Sequence, residues 1–157
     1  MYQRILLAVA LQQWEEFTPH ALAAREVAAA LAKGSGAKIA VLSVYNYGKI
    51  KEPSLSVEMA ARYREDMMQR IDGAMETKMK AFLSGVQQMD LAIIPMMQVG
   101  EPRKTIIEVV KQLPADVLVI GAQGKRSVFD AVLGGTAVYV SRHAPCPVIM
   151  VTPRRTP

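Results

Sequence analysis

The stretch that decides the fold is "PADVLVIGAQGKRSVFDAVLGGTAVYVSRHAPCPVIMV", residues 114–151. It opens with a short apolar run, "ADVLVIG" (115–121), and leads into another, "CPVIMVT" (146–152). Between them, Ser127 with Asp130 three residues later is typical of a capping box, which predicts a helix that ends near Arg142. A strand, a helix and a strand in this order form a βαβ unit, so the two strands are expected to be parallel.

The same alternation extends to the rest of the chain. Short apolar runs predict strands at residues 3–10, 37–46 and 91–100. Helices are predicted after Thr18 and Pro19, through "HALAAREVAAALAK" (20–33) to the glycines at 34 and 36, and then at 55–84 and 102–113. The order βαβαβαβαβ predicts a single-domain α/β fold, with a doubly wound five-stranded parallel sheet in the order 3-2-1-4-5 and four helices. Pro95 predicts that the third strand lies at a sheet edge. We expect one domain over residues 1–152 and a tail over 153–157.

Composition excludes several classes of function. No apolar run approaches the roughly 18 residues that span a membrane, so no membrane insertion is expected. The single cysteine, Cys146, excludes a disulfide framework within one chain and fits a reducing cytoplasm. The two histidines have no zinc-like spacing, so no metal site is predicted. The net charge of +5 is spread along the chain, and no basic stripe indicates nucleic acid binding.

The glycine-rich part of the quoted stretch follows the fourth strand. In a doubly wound sheet the ligand binds beyond the carboxyl ends of the strands, at the switch point, here between strands one and four. Gly121 and Gly124 allow close backbone approach, and Lys125 and Arg126 stand beside a helix start that favours anions. This pattern predicts an anion site; the alternative is an ordinary turn with solvated side chains. Walker A and dinucleotide fingerprints are absent, and no catalytic constellation is apparent, so we expect no enzyme.

These residues resemble the universal stress protein family. The most specific part is Ala-Asp-(apolar)4-Gly-x-x-Gly, then a helix, then "HAPCPV"; "QRILLAVA", "GAKIAVLSVY" and "VGEPRKTIIEVV" are similar to the family's other elements. The resemblance implies a Rossmann-like fold of the adenine nucleotide alpha hydrolase type. It also implies a regulatory homodimer, and one subclass of the family binds ATP or AMP.

The nucleotide-binding subclass carries G-x2-G-x9-G-[ST]. Here Gly121, Gly124 and Gly134 match the glycines, but the closing position is Gly135, with Thr136 one residue later. Alternatively, Gly135 and Thr136 are the closing pair and the spacer holds ten residues. The resemblance also places Ala10 where the subclass has an Asp on the ribose side of the nucleotide, and adenine contacts on the backbone near Val44. The candidate nucleotide-binding residues are Val9, Ala10, Val44, Gly121, Gly124, Lys125, Gly134, Gly135 and Thr136.

The leading interpretation is a cytoplasmic stress-response or signalling protein that binds ATP or AMP, with Mg²⁺ as an optional companion, and acts as a switch. The loop at 46–56 and the methionine-bearing face of the long helix are candidate contacts for an unknown regulatory protein partner. The alternative is a family member that binds no nucleotide and works only through protein contacts; slow ATP hydrolysis is third. The apolar strand 147–151 is expected to pair across a two-fold axis in a homodimer.

Overall fold

Five parallel strands form one sheet in the order β3-β2-β1-β4-β5. The structure is a computed structural model that describes residues 2–12, 15–122 and 135–154. The elements along the chain are β1 (Arg4–Val9), α1 (Pro19–Ser35), β2 (Lys38–Tyr45), α2 (Val57–Ser84), β3 (Ile93–Val99), α3 (Pro102–Gln112), β4 (Val117–Gly121), α4 (Gly135–His143) and β5 (Val148–Val151). The predicted fold class and strand order are confirmed.

The central strand β1 is buried because it pairs on both sides and is covered on both faces. Leu6 lies opposite Ala40 of β2 and Leu118 of β4, and all three side chains are buried. At the amino ends of the strands, the Asp116 carboxylate accepts hydrogen bonds from the backbone N–H groups of Gln3 and Arg4, both at 2.8 Å. These two bonds lower the pKa of Asp116, the one from Gln3 most. The Asp of the sequence motif therefore fixes the start of β1 against β4.

The helices cover the two faces in pairs. One core cluster joins α1 and α2 to side chains such as Ile5, Leu7 and Val119. The other joins α3 and α4 to side chains of the opposite pleat, such as Leu6 and Leu118. Alternate residues of each strand therefore serve different helices, which explains why the strands are apolar throughout.

Several predicted boundaries extend one or two residues too far. The strands are shorter than 3–10, 37–46, 91–100, 115–121 and 146–152, and the long helix begins at Val57 rather than at residue 55. The reason at that helix is a cap, because the Ser56 hydroxyl accepts from Met59 N at 3.4 Å and Ser56 itself stays extended. α1 ends at Ser35, two residues after the predicted end at residue 33, because Gly36 adopts a left-handed φ of 74° and terminates the helix. The predicted cap at Ser127 lies outside the described residues.

The helix α2 is buried only towards its carboxyl end. Met75, Met79 and Phe82 are buried in the core, whereas Val57 and Met59 are 88% and 58% exposed. Met75 and Met79 of the methionine-bearing face are therefore core residues, whereas Met59 in the first turn is open to solvent. Among the described helices, none is long and apolar enough to cross a membrane.

Ser43 is the one described buried side chain whose polar atom lacks a hydrogen-bond partner within the described ranges. It lies in β2 between Val41 and Tyr45 on the face that α1 and α2 cover, and it is completely buried. A buried hydroxyl without a partner costs about 1–3 kcal/mol of stability. Ser43 is therefore a point where the core contains a polar group that its neighbours do not satisfy.

We expect Ser43→Ala to raise the free energy of unfolding by about 1 kcal/mol, because it removes that unpaired hydroxyl and leaves the backbone unchanged. Urea denaturation followed by circular dichroism measures the change. Ser141→Ala, at an exposed hydroxyl bonded to Val138 O, is the control and should change stability by less than about 0.5 kcal/mol. A clear loss of stability in Ser43→Ala would contradict the assignment.

Candidate nucleotide site at the carboxyl edge

The chain leaves β1 and β4 towards opposite faces of the sheet. After β1 it enters α1, which packs in the first core cluster, and after β4 it reaches α4, whose Ala137 and Val140 pack in the second. Two neighbouring strands whose following helices diverge leave a crevice between their carboxyl ends. The structure therefore confirms the predicted switch point between β1 and β4.

Three candidate residues lie at the β1–β2 side of this crevice. Val9, the last residue of β1, is opposite Ser43, so β2 continues beyond the end of β1. The side chains of Val9 and Val44 are buried in the two cores and can offer a ligand only their backbone. Ala10 is exposed at the end of β1, and its methyl group brings no polar atom to the crevice.

The main chain of β2 directs a donor and an acceptor over the end of β1. Lys38 N donates to Gln3 O and Tyr45 O accepts from Gly100 N, so even-numbered residues of β2 face β1 and odd-numbered residues face β3. Asn46 continues this alternation. Its N–H donates to Gln12 Oε1 at 3.0 Å and its C=O accepts from Gln12 Nε2 at 2.7 Å. The segment after β1 is thereby joined to the end of β2.

Two side chains of α2 form hydrogen bonds to the segment that follows β1 and to residues at and after the end of β2 at this edge. Lys78 Nζ donates to the carbonyls of Leu11 and Gln12, at 3.0 and 3.3 Å. Asp72 Oδ1 accepts from the hydroxyls of Tyr45 and Tyr47, at 2.7 and 2.5 Å. Burial, then the hydrogen bond to Asp72, raises the pKa of Tyr45, and for Tyr47 the hydrogen bond is the larger cause. Both phenols therefore remain donors at neutral pH.

Gly121 ends β4 against the first turn of α1. A Cβ atom at this position would lie 2.7 Å from the backbone oxygen of His20 and 3.0 Å from its ring atom Cδ2. The absence of a side chain at Gly121 is therefore needed for α1 to pack, whatever else the residue does. His20 is half-buried there, and burial lowers its pKa, so the ring is neutral at neutral pH.

The far side of the crevice contains a cation that the sequence interpretation did not select. Gly135 and Thr136 form the first described turn of α4, and the guanidinium of Arg103 lies against Gly135 so closely that a Cβ atom there would overlap Nη2. The same guanidinium lies 5.9 Å from the ring centroid of Tyr139. Arg103 belongs to the first turn of α3, where the Glu101 carboxylate caps the helix through Arg103 N and Lys104 N.

The family model for universal stress proteins matches residues 1–152. The chain belongs to the universal stress protein family. A universal stress protein of Thermus aquaticus is 29% identical over 152 residues, which cover 96% of this chain and 99% of that protein.

Two solved structures show how the family's fold is shared. The universal stress protein UspA from Lactobacillus plantarum has a TM-score of 0.64 at 26% identity, with 96% of this chain and 97% of that one covered. A universal stress protein family protein from Arabidopsis thaliana with AMP bound has a TM-score of 0.66 at 18% identity, covering 97% and 92%. At 18% identity, the Arabidopsis structure shows a similarity of fold alone.

The structure thus brings together part of the predicted site of this universal stress protein. Val9, Ala10, the backbone at Val44 and Gly121 meet at the carboxyl edge, and Gly135 and Thr136 begin the described part of α4 on the face opposite α1. Gly124, Lys125 and Gly134 lie outside the described residues. Within the described ranges, no group of His, Cys, Asp or Glu could hold a metal ion.

Sequence reasoning missed Gln12, His20 and Arg103. Each of them lies near the end of a strand or the start of a helix at the carboxyl edge. Gln12 comes after β1, His20 lies in the first turn of α1 and Arg103 lies in the first turn of α3. The signal that could have found them is the rule that such positions surround the ligand in an open α/β sheet.

We expect Gly121→Ala to destabilise this universal stress protein by about 1–3 kcal/mol, because the new methyl group overlaps the backbone of His20, which cannot rotate away. Thermal denaturation measures the effect. Gly34→Ala is the matched control: it lies in α1 with open space around it, and should stabilise the protein by about 0.5–1 kcal/mol. Unchanged stability in Gly121→Ala would mean that α1 does not pack against β4 as described.

Proposed function

We propose that this universal stress protein binds an adenine nucleotide, ATP or AMP, at the carboxyl edge between β2, β1 and β4. The observation that carries the proposal is the row of groups across these strands. The Asn46 donor and acceptor lie at the end of β2, the exposed Ala10 at the end of β1, and Gly121 at the end of β4. AMP bound to the Arabidopsis family member supports the same ligand class here.

Each part of a nucleotide has a counterpart in this row. Neighbouring strands lie about 4.8 Å apart, so the distance from β2 to β4 is about 10 Å, similar to the length of a nucleoside monophosphate. A base would bind to the main chain at the end of β2, the sugar would lie over Ala10, and the phosphate would lie beyond Gly121 at the end of β4. Gly135, Thr136 and the guanidinium of Arg103 would meet the phosphate from the α3 and α4 side, and Mg²⁺ would accompany ATP.

The sugar part of this site is weak. Ala10 offers no acceptor for a ribose hydroxyl, and an unpaired hydroxyl costs about 1–3 kcal/mol of binding free energy. That cost supports a second candidate function, a universal stress protein that binds no nucleotide and acts only through protein contacts. The Asn46 pair and Arg103 favour the nucleotide-binding alternative.

We propose a regulatory role in the cytoplasm rather than turnover. Among the described residues, neutral His20 is the titratable group nearest Gly121, and it lies in the tightly packed first turn of α1. Bound nucleotide would instead bias the position of the segment after β1 and of α2, which Lys78 joins to it. The exposed first turn of α2 is a surface that a regulatory protein could read.

We expect nucleotide binding to tighten by about 10- to 100-fold in Ala10→Asp, because the exposed position accommodates a carboxylate that accepts from the ribose. Calorimetry with AMP and ATP measures the dissociation constants, and chromatography of the supernatant after denaturation identifies nucleotide carried from cells. Ala30→Asp, which adds the same charge at an exposed position of α1, should leave the affinity unchanged.

Absence of released nucleotide, together with no calorimetric binding at millimolar concentration in both the wild type and Ala10→Asp, would overturn nucleotide binding. It would leave the protein-contact function as the better explanation.

We further propose that β5 forms a homodimer by antiparallel pairing of residues 147–151. β5 is an edge strand: Leu118 N donates to Pro147 O and Ala122 N to Val151 O, so odd-numbered residues face β4. Val148 and Met150 therefore direct their main-chain groups outwards, and the Met150 side chain is 40% exposed. An apolar edge of this kind tends to be covered by another strand.

We expect Met150→Pro to convert a dimer into a monomer, because proline removes one outward N–H and leaves the odd-numbered bonds to β4 in place. Sedimentation velocity at micromolar concentration measures the change. Met150→Thr keeps the N–H and should stay dimeric. A wild type that sediments as a monomer would rule out the β5 dimer.

A further inference from the structure

The N–H and C=O groups of Asn46 are held in place by hydrogen bonds on both sides of this residue. Tyr45 O accepts from Gly100 N at 2.9 Å, which fixes the preceding residue to the loop after β3. Asn46 Oδ1 accepts from Gly48 N at 2.9 Å, which closes a tight turn after it. With both neighbours fixed, the N–H and C=O of Asn46 point over the end of β1 in a defined orientation.

The carboxamide of Gln12 is a chemical match for this pair. Its oxygen accepts from the Asn46 N–H and its NH₂ donates to the Asn46 C=O, and a flipped amide would place donor against donor and acceptor against acceptor. An adenine ring presents the same arrangement, an acceptor at N1 beside a donor at the exocyclic N6. A carboxamide and an adenine edge therefore satisfy the same two main-chain groups and cannot do so together.

We propose that Gln12 is a built-in competitor for the base, which closes the Asn46 pair in the free protein and must leave it when an adenine nucleotide binds. This inference rests on the proposed function and specifies its regulation. The competing ligand is defined by its chemistry. It is a base whose acceptor and neighbouring donor match the oxygen and the NH₂ group of the Gln12 carboxamide.

The free energy needed to release the Gln12 side chain is small compared with what a bound base can supply. Both Gln12 bonds are accessible to solvent, and a hydrogen bond of this kind contributes little net stability, so release of the side chain is easily offset by a base that makes the same bonds. Lys78 holds the carbonyls of Leu11 and Gln12, so the backbone can stay in place while the carboxamide rotates away.

The arrangement also sets selectivity. Hypoxanthine has a donor at N1 and an acceptor at O6, the reverse of adenine at the same ring positions. IMP would have to turn its base over to meet the Asn46 pair, which displaces the sugar. AMP should therefore bind at least about tenfold more tightly than IMP, the ratio expected when a site's polar groups are left unpaired.

The experiment compares wild type, Gln12→Ala and the control Gln87→Ala, an exposed glutamine outside the carboxyl edge. Calorimetry with AMP and with IMP gives the dissociation constants. We expect Gln12→Ala to bind AMP about 3- to 10-fold more tightly than wild type, the size of one exposed hydrogen bond, and Gln87→Ala to be unchanged. Without nucleotide, the Asn46 amide proton should exchange faster in Gln12→Ala than in wild type, because the variant lacks the side-chain oxygen that accepts from this N–H.

Each outcome decides the inference. Tighter AMP binding by Gln12→Ala, with or without measurable binding by wild type, supports it. Equal affinity in both proteins overturns the competition and leaves nucleotide binding intact. Weaker binding by Gln12→Ala overturns it too, since Gln12 would then belong to the bound site. No binding of either nucleotide to either protein overturns this inference together with the proposed function.

Discussion

The position of β1, paired on both sides, is the constraint on which the rest of the molecule depends. Its register with β2 and β4 brings Val9, Ser43 and the end of β4 to one level of the sheet. Because α1 and α4 then cover opposite faces, these two helices diverge at the carboxyl ends of β1 and β4 and leave a gap between them. The crevice that we propose as the nucleotide site is therefore a consequence of the strand order.

At this edge, groups that we propose to contact a nucleotide also have structural roles. Gly121 must lack a side chain for α1 to pack, so its place in the glycine pattern does not by itself indicate a phosphate. The N–H and C=O groups of Asn46, which we propose to bind a base, are hydrogen-bonded to Gln12. At the opposite edge Asp116, part of the family's sequence pattern, is explained by two backbone hydrogen bonds. Gly121 and Asp116 therefore each have a structural reason to be in the motif, independent of any ligand.

The strand order followed from the sequence because buried parallel strands are continuous apolar runs between amphipathic helices. Helix ends were also predictable where one residue decides them, as with Thr18, whose hydroxyl accepts from Ala21 N, and with Gly36. The clamp of Gln12 on Asn46 was not predictable, because it joins side chain to backbone across 34 residues and leaves no local pattern. The contact between Arg103 and Gly135 was not predictable for a similar reason, since only the fold brings these two residues together.

An AMP titration followed by two-dimensional NMR of the backbone amides tests the central claim, that the carboxyl edge across β2, β1 and β4 is the nucleotide site, most directly. Amides near Asn46, Ala10, Gly121 and Gly135 should shift along one saturation curve with a common dissociation constant. Amides at the amino edge, such as those of Lys38 and Asp116, should not move. Shifts confined to the amino edge or to β5, or no saturable shift at millimolar AMP, would contradict it.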